Sequence, residues 1–141
     1  MTPDEHEAVD RPLWHLAEMA QWEAALRTGT YGRSTRGASL AEVGYIHASF
    51  PEQLPGVAKA FYARVSEPLV VLEIDPARLA RAGVEVRLEP GDPADPESPR
   101  FPHVYGALPV GAVTRTRPAA VQKGWLDLGP WQDVPQEPAD V

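Results

Sequence analysis

The sequence predicts one α+β domain, and three stretches carry that prediction. Leu69-Val70-Val71-Leu72-Glu73-Ile74 is an almost unbroken apolar run of strand length, which suits a strand buried on both faces. Val84 to Glu89 alternates, with Val84, Val86 and Leu88 on one side and Glu85, Arg87 and Glu89 on the other. Met19, Trp22 and Leu26 recur at helical spacing. At 141 residues the chain has the length of a single domain with one modest core.

Read in order, residues 1–11 are polar and acidic and are expected to form a disordered N-terminal tail. Pro12 to Ala17 predicts a strand, with Leu13, His15 and Ala17 on one side. Glu18 to Arg27 predicts a helix that stops at Gly29. Thr30 to Gly37 reads as a polar loop, and Ser39 to Glu42 as a short helical turn. Gly44 to Ser49 reads as a strand, since Tyr45 and Ile46 favour one. Ser49 and Glu52 have the spacing of a capping box. Pro55 restarts the helix, and Val57, Phe61 and Val65 are expected to face the core. Pro68 ends that helix before the strand at 69–74. Asp75-Pro76 opens a helical turn that closes near Gly83. Residues 91–100 form a loop, 101–106 a second strand-like segment, and Val110 to Thr116 a closing strand. The domain is thus expected over residues 12–117. A Pro-rich acidic extension, 118–141, follows it.

Composition removes several classes of function. The net charge of −7 opposes binding to nucleic acid, and no basic cluster counters it. Without cysteine there is no disulfide framework, thiolate nucleophile or Cys-ligated metal. The acidic first residues lack the pattern of a signal peptide, and no apolar run approaches membrane-spanning length. A cytoplasmic protein without membrane or nucleic-acid partners is expected.

The chemistry falls to the histidines. His6 lies in the expected tail and is set aside. His15, His47 and His103 each sit in or beside a predicted strand, and Glu89 lies on a polar strand face. One such histidine alone reads best as a half-buried imidazole bonded to backbone. Three with a carboxylate point to a site that moves protons near neutral pH. Zinc is the rival reading, but no short ligand pair such as His-x-x-x-His is present, and no metal is expected. Tyr105 lies two residues after His103, so in an extended segment both face one side, as a planar ligand would require. Ser49 reads as a helix cap, and the same helix N-terminus would suit a ligand phosphate. No P-loop, dinucleotide fingerprint or nucleophile elbow occurs.

Leu13-Trp14-His15-Leu16, Trp22, Gly29, Tyr31, Ser39-Leu40, Gly44-Tyr45-Ile46-His47-Ala48-Ser49, Gln53, Leu88-Glu89 and Phe101-Pro102-His103-Val104-Tyr105-Gly106-Ala107-Leu108-Pro109 follow one another in an order that resembles the bacterial DUF952 family over about residues 12–117. The resemblance implies an ADP-ribosyltransferase-like fold, with two small β-sheets around a cleft and a few short helices. In that fold the cleft holds NAD, a first-strand histidine or arginine contacts the ribose, and an aromatic packs on nicotinamide. By position, His15 takes the first role and Tyr105 the second, while Glu89 or His103 faces the developing positive charge or moves a proton. Val43 stands where the family usually carries an acid, and Ala48 where it often carries cysteine.

Three functions follow from this reading. The leading expectation is an enzyme of ADP-ribosyltransferase type, with His15, His47, Glu89 and His103 as catalytic residues and His15, Ser49 and Tyr105 as nucleotide contacts. It would hold no permanent cofactor, and NAD would be its substrate. The second is an acid–base enzyme (a cyclase, isomerase or lyase) acting on a small metabolite without NAD. The third is a non-catalytic ligand-binding or interaction module, in which Trp125 and Trp131 of the extension dock on a partner or on a second copy as a homodimer; the plainer reading of these tryptophans is that they fold back over the domain's own core. The loop at 91–100 adjoins the site and is expected to act as a lid or to set ligand choice.

Overall fold

The computed structural model describes residues 9–35 and 38–134. Along the chain run β1 (Leu13–Glu18), α1 (Met19–Thr28), β2 (Thr30–Tyr31), β3 (Arg33–Thr35), β4 (Ala38–Ser39), α2 (Leu40–Val43) and β5 (Ile46–His47). A 3₁₀ turn (Pro51–Gln53) leads into α3 (Leu54–Phe61), then β6 (Leu69–Ile74), α4 (Pro76–Arg81), β7 (Glu85–Pro90), β8 (Arg100–Tyr105) and β9 (Leu108–Pro109). A second 3₁₀ turn (Val110–Ala112) precedes β10 (Val113–Gln122), β11 (Trp125–Leu128) and β12 (Gln132–Asp133). The architecture is α+β, with several small antiparallel sheets and few, short helices.

The apolar run at 69–74 is central, as its composition requires. The main sheet has the order β1-β6-β10-β11, and β12 also pairs with β10. Val70, Leu72 and Ile74 of β6 pack into one cluster with Ile46, Val104 and Leu108. Leu69 and Val71 point the other way, into a cluster with Leu54, Val57 and Ala58 of α3. A strand clothed on both faces needs apolar residues at every position.

The second sheet, β5-β8-β7, sets the site. Its register places His47 opposite His103 and Arg87 opposite His103 on the other flank. Residues paired this way share a face. Tyr45, His47, Phe101, His103, Tyr105, Glu85, Arg87 and Glu89 therefore lie on one side. Ile46 and Val104 lie on the other, fully buried. The two sheets meet at a corner. There Trp14 and Ser49 exchange backbone hydrogen bonds of 2.7 and 2.8 Å, while the Ala48 N–H donates to the Pro102 carbonyl. The segment 46–49 is thus gripped by β8 on one side and β1 on the other.

Local signals hold at several ends. Gly29 closes α1 at φ 95°, a conformation that favours glycine, and Ser39 and Glu42 form a reciprocal capping box on α2. Asp75 caps α4 through the Ala77 N–H.

Four expectations need correction. The polar stretch 30–37 is not a plain loop, because β2 pairs with β9 and β3 with β4; residues 36 and 37 lie outside the described set. Ser49 does not cap a helix: the Gln53 side chain takes the Phe50 N–H instead, and the Ser49 hydroxyl turns inward to the Trp14 carbonyl. The helix ends at Phe61, which is 55% exposed and not in the core. The extension at 118–134 belongs to the sheet, since β10 runs through Pro118 to Gln122 and carries β11 and β12. Of the expected N-terminal tail, residues 1–8, with His6, lie outside the described residues, as do 135–141.

Candidate active site

His15 and His47 are neighbours in space but do different things. His15 is 2% exposed. One ring nitrogen, Nδ1, lies 2.7 Å from the His47 carbonyl oxygen, which can only accept, so Nδ1 carries the proton. Its Nε2 must then accept from the Tyr31 hydroxyl at 2.9 Å. Both nitrogens are committed to protein partners. Burial pushes the His15 pKa down to about 4, only partly opposed by the bond to His47. The ring is a neutral strut, and the ribose-contact role placed on it has no free ring atom to work with. Ser49, 1% exposed with its hydroxyl on the Trp14 carbonyl, likewise presents nothing to a phosphate.

His47, His103 and Glu89 form a hydrogen-bonded series. Glu89 Oε1 accepts from the Tyr105 hydroxyl at 2.5 Å and from His103 Nδ1 at 2.8 Å. Burial raises the Glu89 pKa, but those two hydrogen bonds outweigh it and the net shift is downward, so the group is a carboxylate at neutral pH. Because a carboxylate only accepts, His103 Nδ1 must donate. Burial lowers the His103 pKa against the opposing pull of Glu89, which leaves its Nε2 as a lone pair. Nε2 lies 3.3 Å from His47 Nδ1, so His47 donates there. The remaining nitrogen, His47 Nε2, is then an acceptor. It is buried and has no hydrogen-bond partner among the described residues. Burial, then the neighbouring His103 and His15, push the His47 pKa down to about 4.

The surroundings are aromatic. Tyr45 stacks on His103 with ring centroids 4.0 Å apart. His47 meets Phe101 at 5.1 Å and Phe61 at 6.2 Å. Arg87 lies over the Tyr105 ring at 4.4 Å. Two clefts flank the series. One, of about 470 Å³, is lined by His47, Gln53, Val57, Phe61, Asp92 and Phe101 among others. The other, of about 330 Å³, is lined by Tyr45, Glu89, His103, Tyr105 and loop prolines. The loop at 91–99 forms the ridge between them. It is tied to itself through Asp92, Asp95 and Ser98, and Gly91 bonds Pro99, so it forms a shaped wall for both clefts. Among the described residues neither cleft has a lysine or arginine in its lining.

The expected cluster is thus partly assembled. His47, Glu89, His103 and Tyr105 converge, while His15 supports from behind and Ser49 is spent on the corner. Tyr45 and Phe101 were missed, though each lies two residues before a site histidine and so shares its strand face. Phe61 and Tyr31 carried no such signal. Among the described residues no group of three or more His, Asp or Glu side chains is placed to hold a metal. No helix among them is long and apolar enough to cross a membrane.

The scaffold is antiparallel α+β, and a histidine–carboxylate series lies between its two clefts. A family model described as "Protein of unknown function (DUF952)" matches residues 16–116, and the chain belongs to that family. No curated protein matches it by sequence. Among solved structures it is similar to protein CC0527 from Caulobacter crescentus and to a double mutant of that protein. Each has TM-score 0.66 and 24% identity, over 83% of this chain and 94% of the other. That likeness establishes a shared fold.

Proposed function

We propose that this protein is an enzyme that moves a proton to or from a planar, uncharged small molecule, with His47 as the acid–base group. The observation that carries this is the series Glu89–His103–His47, which ends on an unpartnered Nε2 in a histidine that walls the larger cleft. A base held in one tautomer by a second group, itself fixed by a carboxylate, is the arrangement acid–base catalysis needs. A proton arriving at His47 Nε2 releases the Nδ1 proton to His103 Nε2, and the positive charge comes to rest beside Glu89. The reverse transfer returns the proton. This chemistry serves isomerisation, elimination or cyclisation. Phe61 and Phe101 favour a flat substrate. The acidic, cation-free lining disfavours an anionic one.

A second reading is ADP-ribosyl transfer from NAD or a related nucleotide, on an ADP-ribosyltransferase-like fold. It is favoured by two strand histidines, His15 and His47, adjoining at the corner of two sheets with an exposed aromatic helix residue, Phe61, at the same cleft. Nicotinamide would occupy the slot by Phe61 and Phe101. It ranks second because, among the described residues, the cleft offers no lysine or arginine to a diphosphate.

Calorimetric titration of the wild type and Phe61→Ala with nicotinamide and with NAD separates the two. Nicotinamide binding that Phe61→Ala abolishes, with NAD no tighter, supports the first reading. NAD binding at least tenfold tighter supports the second. No binding of either, or binding indifferent to Phe61, contradicts the cleft assignment.

A further inference from the structure

Two buried polar atoms without a hydrogen-bond partner among the described residues point to one place. Ser34 is 0% exposed and its hydroxyl has no partner among the described residues; His47 Nε2 is in the same condition. Both residues line one small cavity of about 10 Å³, together with His15, Ser49, Val57 and Tyr62. A buried polar atom left unpaired destabilises the fold, so two around one void call for a common partner. A cavity of this size is at the lower limit for one water, and water persists only where polar groups receive it. His47 Nε2 accepts one hydrogen. The Ser34 hydroxyl donates or accepts as its rotor allows. Ser49, whose own hydrogen goes to Trp14, still has lone pairs to accept with.

We infer that this cavity is a binding site for a single water held between His47 Nε2 and Ser34 Oγ, and that this water carries protons between His47 and the substrate. The inference rests on the acid–base reading above. Val57 and His47 wall both the cavity and the larger cleft, so the cavity backs directly on the place where substrate would lie. In each transfer the water gives one proton to Nε2 and takes one from the substrate, so it is regenerated. Ser34 is a positioning residue in this scheme.

The test is a high-resolution crystal structure of the wild type near pH 7, with nuclear Overhauser transfer from water to the His47 ring measured in solution. The expected result is one ordered water within hydrogen-bond distance of both atoms, and a water signal on the ring. In Ser34→Val, which fills the cavity, that signal is lost and the His47 pKa falls further while His103 titrates as before. A dry cavity with the Ser34 hydroxyl turned to a backbone carbonyl overturns the inference, and the wild-type measurement alone decides that. A proton found on His47 Nε2 overturns the relay but not the water, because Nε2–H would donate to the same molecule.

Discussion

At the scale of single residues, the division of labour between His15 and His47 can be checked by titration. His15 is held neutral by burial, with a pKa of about 4 against 6.5 in the unfolded chain. The folded state therefore binds fewer protons, and stability is full above pH 6.5 and declines as pH falls toward 4. The loss from His15 alone is on the order of 3 kcal/mol. His47, also held near 4, adds a loss over the same range, so urea unfolding of the wild type and His15→Asn at pH 7 and pH 4.5 isolates the His15 share as a shallower pH dependence in the variant. That variant should also cost about 1–3 kcal/mol at pH 7, by weakening the support of the His47 carbonyl and the Tyr31 hydroxyl. Glu89→Gln acts in the opposite region. It removes the negative charge that holds up the basicity of His103, so the His103 pKa should fall further below its ordinary value in an NMR titration. An unchanged His103 pKa would mean that Glu89 does not anchor the series.

At the scale of elements, the loop at 91–99 and the strand β8 behave as one wall. A side chain at position 91 would place its Cβ 2.6 Å from a Phe101 ring carbon, so Gly91→Ala must move that ring. Phe101 borders His47, so the expected result is weakened nicotinamide binding with the His103–Glu89 bond intact. Ligand titration beside a His103 NMR spectrum reads both. The elements also show what the sequence could disclose. β6, β7 and α1 were legible because burial on two faces, burial on one face, and a helical stripe each leave a distinct periodicity. β2 to β4 were not, because two- and three-residue strands leave no period and exist only through distant partners. The inward turn of Ser49 was hidden for a similar reason. Its partner, Trp14, is 35 residues away, and a local capping pattern competed for the same residue. Of the site, the residues His47, Glu89, His103 and Tyr105 were legible from strand alternation. The direction of the series, and the commitment of His15 to Tyr31, depend on tertiary contacts.

At the scale of the whole molecule, the C-terminal part is a structural half of the main sheet. Trp131 lies against Trp14 at 5.5 Å and under Arg115 and Arg117, and Arg115 in turn pairs with Glu73 of β6. A chain ending at Arg117 loses half of β10 with β11 and β12, and it should show no cooperative unfolding transition. Trp131→Ala should lower stability by about 1–3 kcal/mol, less than full burial of an aromatic because the ring is only half-covered. Trp125, 76% exposed, should be replaceable by alanine within about 0.5 kcal/mol. Thermal melts of the three variants test this, and a stable fragment ending at Arg117 would contradict it.

Acid–base work by His47 depends on where the ring protons sit, and long-range proton–nitrogen correlation spectra of the histidine rings at pH 7 read that directly. His47 and His103 should both be neutral with the proton on Nδ1, leaving His47 Nε2 as the free base. A His47 ring protonated on Nε2, or charged at that pH, would contradict it.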